Sequence, residues 1–193
     1  YAEKVVYVAE TFQANDFKGR SAGCTPTRAE AGLPERGFVF CSFNNTHKIA
    51  PPVFDVWMRL LRKFEGSVIW LTGAIPVAAE NLRREARARG VDPERLIFAR
   101  RTERVEDHLA RYHLADLFLD TLPYNAHTTA SDALWAGLPV VTCQGTTFAG
   151  RVAASVLNAV GLPELITHSL EEYEALASKL ATGSRATPVP ASN

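Results

Sequence analysis

From Phe38 onward the sequence alternates short apolar runs with longer amphipathic stretches, and no other feature limits the fold as strongly. Phe38-Val39-Phe40-Cys41-Ser42-Phe43 is nearly continuous in apolar residues, the pattern of a strand covered on both faces. Pro51 to Phe64 follows with Val53, Phe54, Trp57, Leu60 and Leu61 on one helical stripe. Proline suits the start of that helix, where a backbone N–H has no partner to lose. Ser67 to Leu71 predicts a second strand, and Val77 to Arg89 a charged helix closed by Gly90. Arg95 to Phe98 reads as a third strand and Val105 to Tyr112 as a third helix. Asp116 to Asp120 is a fourth strand, leading through a polar loop to a helix at about Thr129 to Trp135. Gly137 and Pro139 stop that helix before the strand Val140-Val141-Thr142. A helix over Gly150 to Val160, a short strand Glu164-Leu165-Ile166 and a helix over Leu170 to Leu180 complete the series. Such strict alternation predicts a doubly wound, Rossmann-like α/β layer on a parallel sheet.

The 193 residues suit one domain with a proper core. Residues 1–36 read as a lead-in or linker, with a β-leaning stretch at Val5-Val6-Tyr7-Val8 and then Gly, Ser, Thr and Pro punctuation. Residues 37–181 form the α/β domain, and 182–193, rich in Ser, Thr, Pro and Ala, are predicted to be a disordered tail. No internal repeat is visible. Lys plus Arg and Asp plus Glu number 21 each, so bulk charge points to neither a nucleic-acid partner nor a membrane surface. No apolar run reaches the roughly 18 residues of a membrane span, and no signal peptide opens the chain. Cys24, Cys41 and Cys143 are scattered and odd in number; Cys41 and Cys143 lie in apolar runs and read as buried thiols of a cytoplasmic, reducing compartment. The chain opens on Tyr1 rather than methionine, which reads as a trimmed chain or a fragment.

Ligands of open α/β sheets bind beyond the carboxyl ends of the strands, where strand order reverses. In the common order 3-2-1-4-5-6 that crevice lies between the first and fourth strands. The loops leaving those strands are Asn44-Asn45-Thr46-His47-Lys48 and Thr121 to Thr129, both polar for their apolar surroundings. The second ends on a fresh helix N-terminus at His127-Thr128-Thr129, whose free N–H groups and dipole favour an anion. Lys48 adds a full positive charge from across the crevice, and the set suits a diphosphate. Plainer readings stand beside this one. Thr129-x-x-Asp132 equally fits a capping box that merely starts a helix. A lysine after a strand is commonly just solvated, and His108 and Arg111 fit polar positions on a surface helix. From residues alone, the convergence indicates only a phosphate-bearing ligand.

Other chemistries lack their motifs. There is no G-x-G-x-x-G or Walker loop for a dinucleotide or P-loop site, and no D-x-D for a metal-bridged nucleotide sugar. His108 and His113 are five apart, off one helical face, and do not suggest zinc.

Three segments carry a resemblance. Phe43-Asn44-Asn45-Thr46-His47-Lys48-Ile49 resembles the "FNNxxKI" element of the O-linked N-acetylglucosamine transferase family, bacterial type. Asp116 to Thr121, continuing through His127-Thr128-Thr129-Ala130-Ser131-Asp132-Ala133-Leu134-Trp135-Ala136-Gly137, is similar to its most distinctive stretch. Phe148-Ala149-Gly150-Arg151-Val152-Ala153-Ala154-Ser155 adds a third, and the similarity covers roughly residues 1–181. The resemblance implies the C-terminal lobe of a GT-B glycosyltransferase that binds UDP-N-acetylglucosamine (UDP-GlcNAc) as donor substrate, with no further cofactor and no metal. It implies that Lys48, the catalytic group, contacts the diphosphate, with Asn45 beside the leaving group. His127, Thr128 and Thr129 would hold phosphate oxygens, Asp132 the ribose, and His108 the uracil ring, with Arg111 near it. Animal members carry glutamine where Asn45 stands. Ala99 to Arg104 does not align cleanly with the family's uracil-contacting loop, so no base contact is assigned there.

For the complete enzyme the resemblance implies metal-independent, inverting transfer of GlcNAc to Ser or Thr hydroxyls of a protein acceptor. Family members also carry tetratricopeptide repeats, an N-terminal catalytic lobe with the histidine discussed for acceptor activation, and C-terminal helices. None of these has a counterpart here, so this portion alone is expected to be inactive. A transferase using GDP-fucose or UDP-glucose, and a non-catalytic nucleotide-binding fragment, are the alternatives; SPINDLY-type fucosyltransferases differ around His127-Thr128-Thr129.

Overall fold

The computed structural model of the chain describes residues 11–13 and 23–184. The β-leaning stretch at Val5 to Val8 and residues 185–193 of the expected tail lie outside these residues, whereas residues 182–184, expected in that tail, are helical. Six parallel strands form one sheet in the order β3-β2-β1-β4-β5-β6. They are β1 (Val39–Ser42), β2 (Val68–Leu71), β3 (Leu96–Phe98), β4 (Leu117–Leu119), β5 (Val140–Cys143) and β6 (Ile166–Thr167). The intervening helices are α1 (Pro51–Lys63), α2 (Pro76–Ala88), α3 (Val105–Arg111), α4 (Thr128–Trp135) and α5 (Val152–Ala159), with α6 (Leu170–Ser184) last. The doubly wound class and strand order expected from the alternation are those observed.

Strands β1, β2, β4 and β5 are buried at every position because both faces of the sheet are covered. Right-handed crossovers put α1 and α2 on one face and α3, α4 and α5 on the other. Helix α6 returns beside α1 and packs on β4 and β5. The α1 stripe of Val53, Phe54, Trp57, Leu60 and Leu61 is buried whole, whereas α2 buries only Ala86. Cys41 and Cys143 are buried free thiols and Cys24 is an exposed one. Among the described residues no helix is long and apolar enough to cross a membrane.

Several boundaries differ from expectation for local reasons. Pro163 to Leu165 is a 3-10 turn, so the last strand moves on to Ile166–Thr167. The helix expected from Gly150 begins at Val152 because Gly150 belongs to a tight loop, its N–H donating to the Thr147 carbonyl. A side chain at Gly150 would stand 2.9 Å from the Pro123 carbonyl oxygen, so only glycine lets the β5 and β4 loops approach this closely. Helix α6 continues past Leu180 to Ser184, with Ala181 still in the core.

Residues 23–36 lie against the same core. Leu33 is 5% exposed, and the Arg28 guanidinium donates to the carbonyls of Gly37 and Leu114 and to the Asp116 carboxylate. Asp116 also accepts from the Val39 N–H at 2.7 Å, which fixes the start of β1.

Candidate functional site

A cleft of about 950 Å³ opens at the carboxyl ends of β1 and β4, where strand order reverses. Asn45, Lys48, His108, Arg111, His127, Thr128, Thr129 and Asp132 all line it, so the structure brings together every residue singled out from sequence.

The two loops facing each other across the reversal are joined by a buried polar cluster. Asp120, at the end of β4, is 2% exposed. Its carboxylate accepts from the N–H groups of Thr121 (2.7 Å) and Ala126 (2.6 Å), from Thr142 Oγ1 (2.6 Å) and from Asn44 Nδ2 (3.1 Å). The first two bonds fold the Thr121 to His127 loop around the carboxylate. Burial pushes the Asp120 pKa up to about 6 against the pull of these four donors. Its carbonyl accepts from the Tyr173 hydroxyl (2.9 Å), which in turn accepts from Trp57 Nε1 (3.2 Å), so α6 and α1 brace the loop from below.

Helix α4 begins with His127 at its N-cap position and no side-chain cap bond. The capping box allowed by Thr129 and Asp132 does not form. Thr129 lies inside the first turn and donates its hydroxyl to Asn44 Oδ1 at 2.7 Å, and Asp132 faces His108 Nε2 at 3.7 Å. The first N–H groups of the helix have no intrahelical acceptor and open onto the cleft.

Lys48 ends a 3-10 turn, Thr46–Lys48, that follows β1. Its ammonium donates to the Asn125 carbonyl (3.1 Å) and sits 3.9 Å from the Tyr124 ring centroid, which places it against the opposite loop. Burial lowers its pKa and the nearby Asp120 carboxylate opposes that shift. Tyr124 stacks on His127 with centroids 5.2 Å apart. Burial first, then the Lys48 charge, lower the His127 pKa and favour its neutral ring. Its Nε2 is buried and has no hydrogen-bond partner among the described residues. Asn45 is exposed at the mouth of the cleft, its side chain uninvolved in capping.

His108 and Arg111 are not surface polar positions. Arg111 is 8% exposed, its guanidinium lies 4.0 Å from the Phe43 ring centroid, and it donates to the Arg100 carbonyl (3.1 Å) and bonds His108 Nδ1. Burial lowers its pKa. The ring of His108 is thereby oriented from Arg111 on one nitrogen, with the Tyr112 hydroxyl at 3.4 Å from the other.

The sequence reading missed several lining groups. Arg100, Arg101, Thr102, Glu103 and Arg104 form a wall of the cleft, although no contact was assigned to that stretch. The fold rule was the available signal, since the β3 loop leaves the sheet at the same edge as the β1 and β4 loops. Tyr124 and Asn44 also line the cleft. Beside it, Phe12 packs against His127 and Phe148, and Gln13 Nε2 donates to Thr128 Oγ1 at 3.3 Å.

Comparison with known proteins identifies the family and the fold. The family model for glycosyl transferase family 41 matches residues 13–188. A probable UDP-N-acetylglucosamine--peptide N-acetylglucosaminyltransferase SEC of Arabidopsis thaliana is 39% identical over 188 residues, covering 94% of this chain and 19% of the relative. The UDP-N-acetylglucosamine--peptide N-acetylglucosaminyltransferase of Caenorhabditis elegans is 40% identical over 156 residues, 81% of this chain and 14% of its own length. A probable enzyme of the same description, SPINDLY of Oryza sativa subsp. japonica, is 32% identical over 186 residues, 94% of this chain and 20% of its own. Among solved structures, a mutant O-GlcNAc transferase of Thermobaculum terrenum superposes with a TM-score of 0.79 at 32% identity, covering 95% of this chain and 35% of that one. The chain thus spans about a fifth or less of the length of these curated relatives. With the family model covering nearly all of it, the chain belongs to glycosyl transferase family 41.

Proposed function

We propose that this chain is the donor-binding C-terminal lobe of a cytoplasmic protein O-GlcNAc transferase and that its cleft holds UDP-GlcNAc. The observation that carries the reading is the convergence of Lys48 and the uncapped N-terminus of α4 on one cleft that also holds His108, Arg111 and Asp132. A diphosphate seated between Lys48 and α4 would meet one full positive charge and the free N–H groups of Thr128 and Thr129. As the glycosidic bond breaks, negative charge grows on the β-phosphate, and these preorganised groups stabilise it without reorganising. In this reading Asp132 would take ribose hydroxyls, His108 and Arg111 the uracil end, and Asn45 the leaving-group side. The relatives described as UDP-N-acetylglucosamine--peptide N-acetylglucosaminyltransferases support GlcNAc as the donor sugar.

Titration calorimetry of the chain with UDP, GDP and ADP tests the donor class. Preference for UDP is expected, and equal affinity for all three would remove the uridine assignment. Transfer needs an acceptor hydroxyl held in line with the anomeric carbon, and such positioning contributes about 7–11 kcal/mol to barrier lowering. In the complete enzyme that wall would come from the N-terminal lobe. The chain is therefore expected to bind UDP-GlcNAc without turnover; radiolabel transfer to a peptide library above a Lys48→Ala control would overturn this.

A further inference from the structure

We propose that Asn44 is a positioning residue: its side-chain amide fixes the N-terminus of α4 against the β1 loop, and it consumes the hydroxyl proton of Thr129. The inference rests on the donor-site reading above and assigns its two threonines different roles.

Asn44 is 2% exposed and directly precedes the loop that carries Asn45 and Lys48. Its Nδ2 donates to Asp120 Oδ1 (3.1 Å) and to Thr121 Oγ1 (2.9 Å), and its Oδ1 accepts from Thr129 Oγ1 (2.7 Å). Two independent partners fix the orientation of this amide. The ionised Asp120 carboxylate only accepts, so it must face Nδ2. Thr121 spends its hydroxyl proton on the Tyr124 carbonyl at 2.7 Å, so it too faces Asn44 as an acceptor. A flipped amide would set oxygen against oxygen at both contacts. Asn44 Oδ1 is therefore left for Thr129, and a threonine hydroxyl has one proton to give. Thr129 can then offer a bound anion its backbone N–H but not its hydroxyl. Thr128 differs: its oxygen accepts from Gln13, and its hydroxyl proton stays available to the cleft.

This arrangement couples two loops that lie 85 residues apart in sequence through one side chain. Loosening it displaces the helix N-terminus relative to Lys48, so it acts first on the phosphate end of the site; the uracil end is built from His108 and Arg111 on α3, and Asp132, the ribose residue, stands a turn further into α4.

The test is calorimetric titration of the chain with UDP and with uridine, for wild type and for Asn44→Ala, Thr129→Val, Thr129→Ser and the double variant Asn44→Ala/Thr129→Val. Each of Asn44→Ala and Thr129→Val is expected to weaken UDP binding by about tenfold, with uridine affinity within twofold of wild type. The double variant should be no weaker than the worse single one, and Thr129→Ser should restore UDP affinity. Multiplying losses in the double variant, an equal loss for uridine, or unchanged UDP affinity in both single variants would overturn the proposal. If Asn44→Ala fails to fold, Thr129→Val and Thr129→Ser alone decide the matter. Wild-type chain that binds UDP no better than uridine would overturn the diphosphate reading itself, and that result is visible before any variant is compared.

Discussion

The loops after β4 and β3 both wall the cleft, yet they are held in opposite ways. The β4 loop is built on a buried carboxylate, with Thr121, Asn125 and Ala126 at most 1% exposed and hydrogen-bonded inward. In the β3 loop, Arg100, Arg101, Glu103 and Arg104 are exposed, and the fastening comes chiefly from Arg111 to the Arg100 carbonyl. The rigid loop carries the helix N-terminus that would meet charged phosphate, where fixed dipoles act best when they need not reorganise. The looser one lies beside Arg111, which would meet the base, and contacts to a neutral ring tolerate adjustment. Stability and affinity should therefore respond very differently to substitutions in the two loops.

The largest effect is expected at Asp120. Asp120→Ala strands the Thr121 and Ala126 N–H groups and Thr142 Oγ1 inside the protein, and leaves Asn44 Nδ2 with only its bond to Thr121 Oγ1. Even after relief of a buried charge, the loss should be about 3–5 kcal/mol, read from urea unfolding at neutral pH. A loss under about 1 kcal/mol would mean that the loop does not depend on the carboxylate.

The pH dependence comes next. Asp120 has a folded pKa of about 6, above its ordinary value of 3.8, so the folded state holds the proton more tightly than the unfolded chain. The associated stability is fully present below about pH 4 and is lost as pH rises through about 6. A shift of this size corresponds to about 3 kcal/mol. In Asp120→Asn this descending component should vanish from unfolding curves recorded between pH 4 and 7. A wild-type profile that instead rises through this window would show the carboxylate to be stabilised rather than penalised by its surroundings.

Lys48→Ala tests the charged partner of the rigid loop. It should cost about 1.5–3 kcal/mol of UDP binding, the range of hydrogen bonds to charged groups, and leave uridine binding unchanged. Equal effects on both ligands would place Lys48 away from the phosphates. The smallest effect belongs to the loose loop: Arg101→Ala should change stability by no more than about 0.5 kcal/mol. It should change UDP affinity less than threefold. A larger loss at Arg101 than at Lys48 would reverse the comparison.

The strand order and the position of the cleft were legible because both follow from rules of alternation and handedness that need only local pattern. The α1 stripe showed its buried face for the same reason. The fastening of the site was not legible. Asn44 reaches Asp120, Thr121 and Thr129 across 76 to 85 residues, and no spacing rule announces such a bond. Thr129 and Asp132 fitted a capping box by spacing, but tertiary partners claimed both side chains. Arg111 looked like a surface cation until Phe43 and the Arg100 carbonyl were seen to enclose it. Pro163 carried a readable local signal, a residue that opens a 3-10 turn more readily than a strand, and the last strand accordingly begins three residues later.

The hydroxyl of Tyr173 under the Asp120 carbonyl bears on where this polypeptide can be cut. Helix α6 lies far along the chain from every cleft residue, and a minimal donor-binding fragment drawn from the motifs alone would stop within α5. Such a fragment would keep every ligand-facing side chain and lose the beam beneath the loop that aims them. Trp57, its ring nitrogen left without the tyrosine oxygen, would then face an open groove on α1. A tag, a split-protein junction or a circular permutation site therefore belongs after α6, and a library that varies donor preference should leave Trp57 and Tyr173 untouched while it explores the arginine-rich wall.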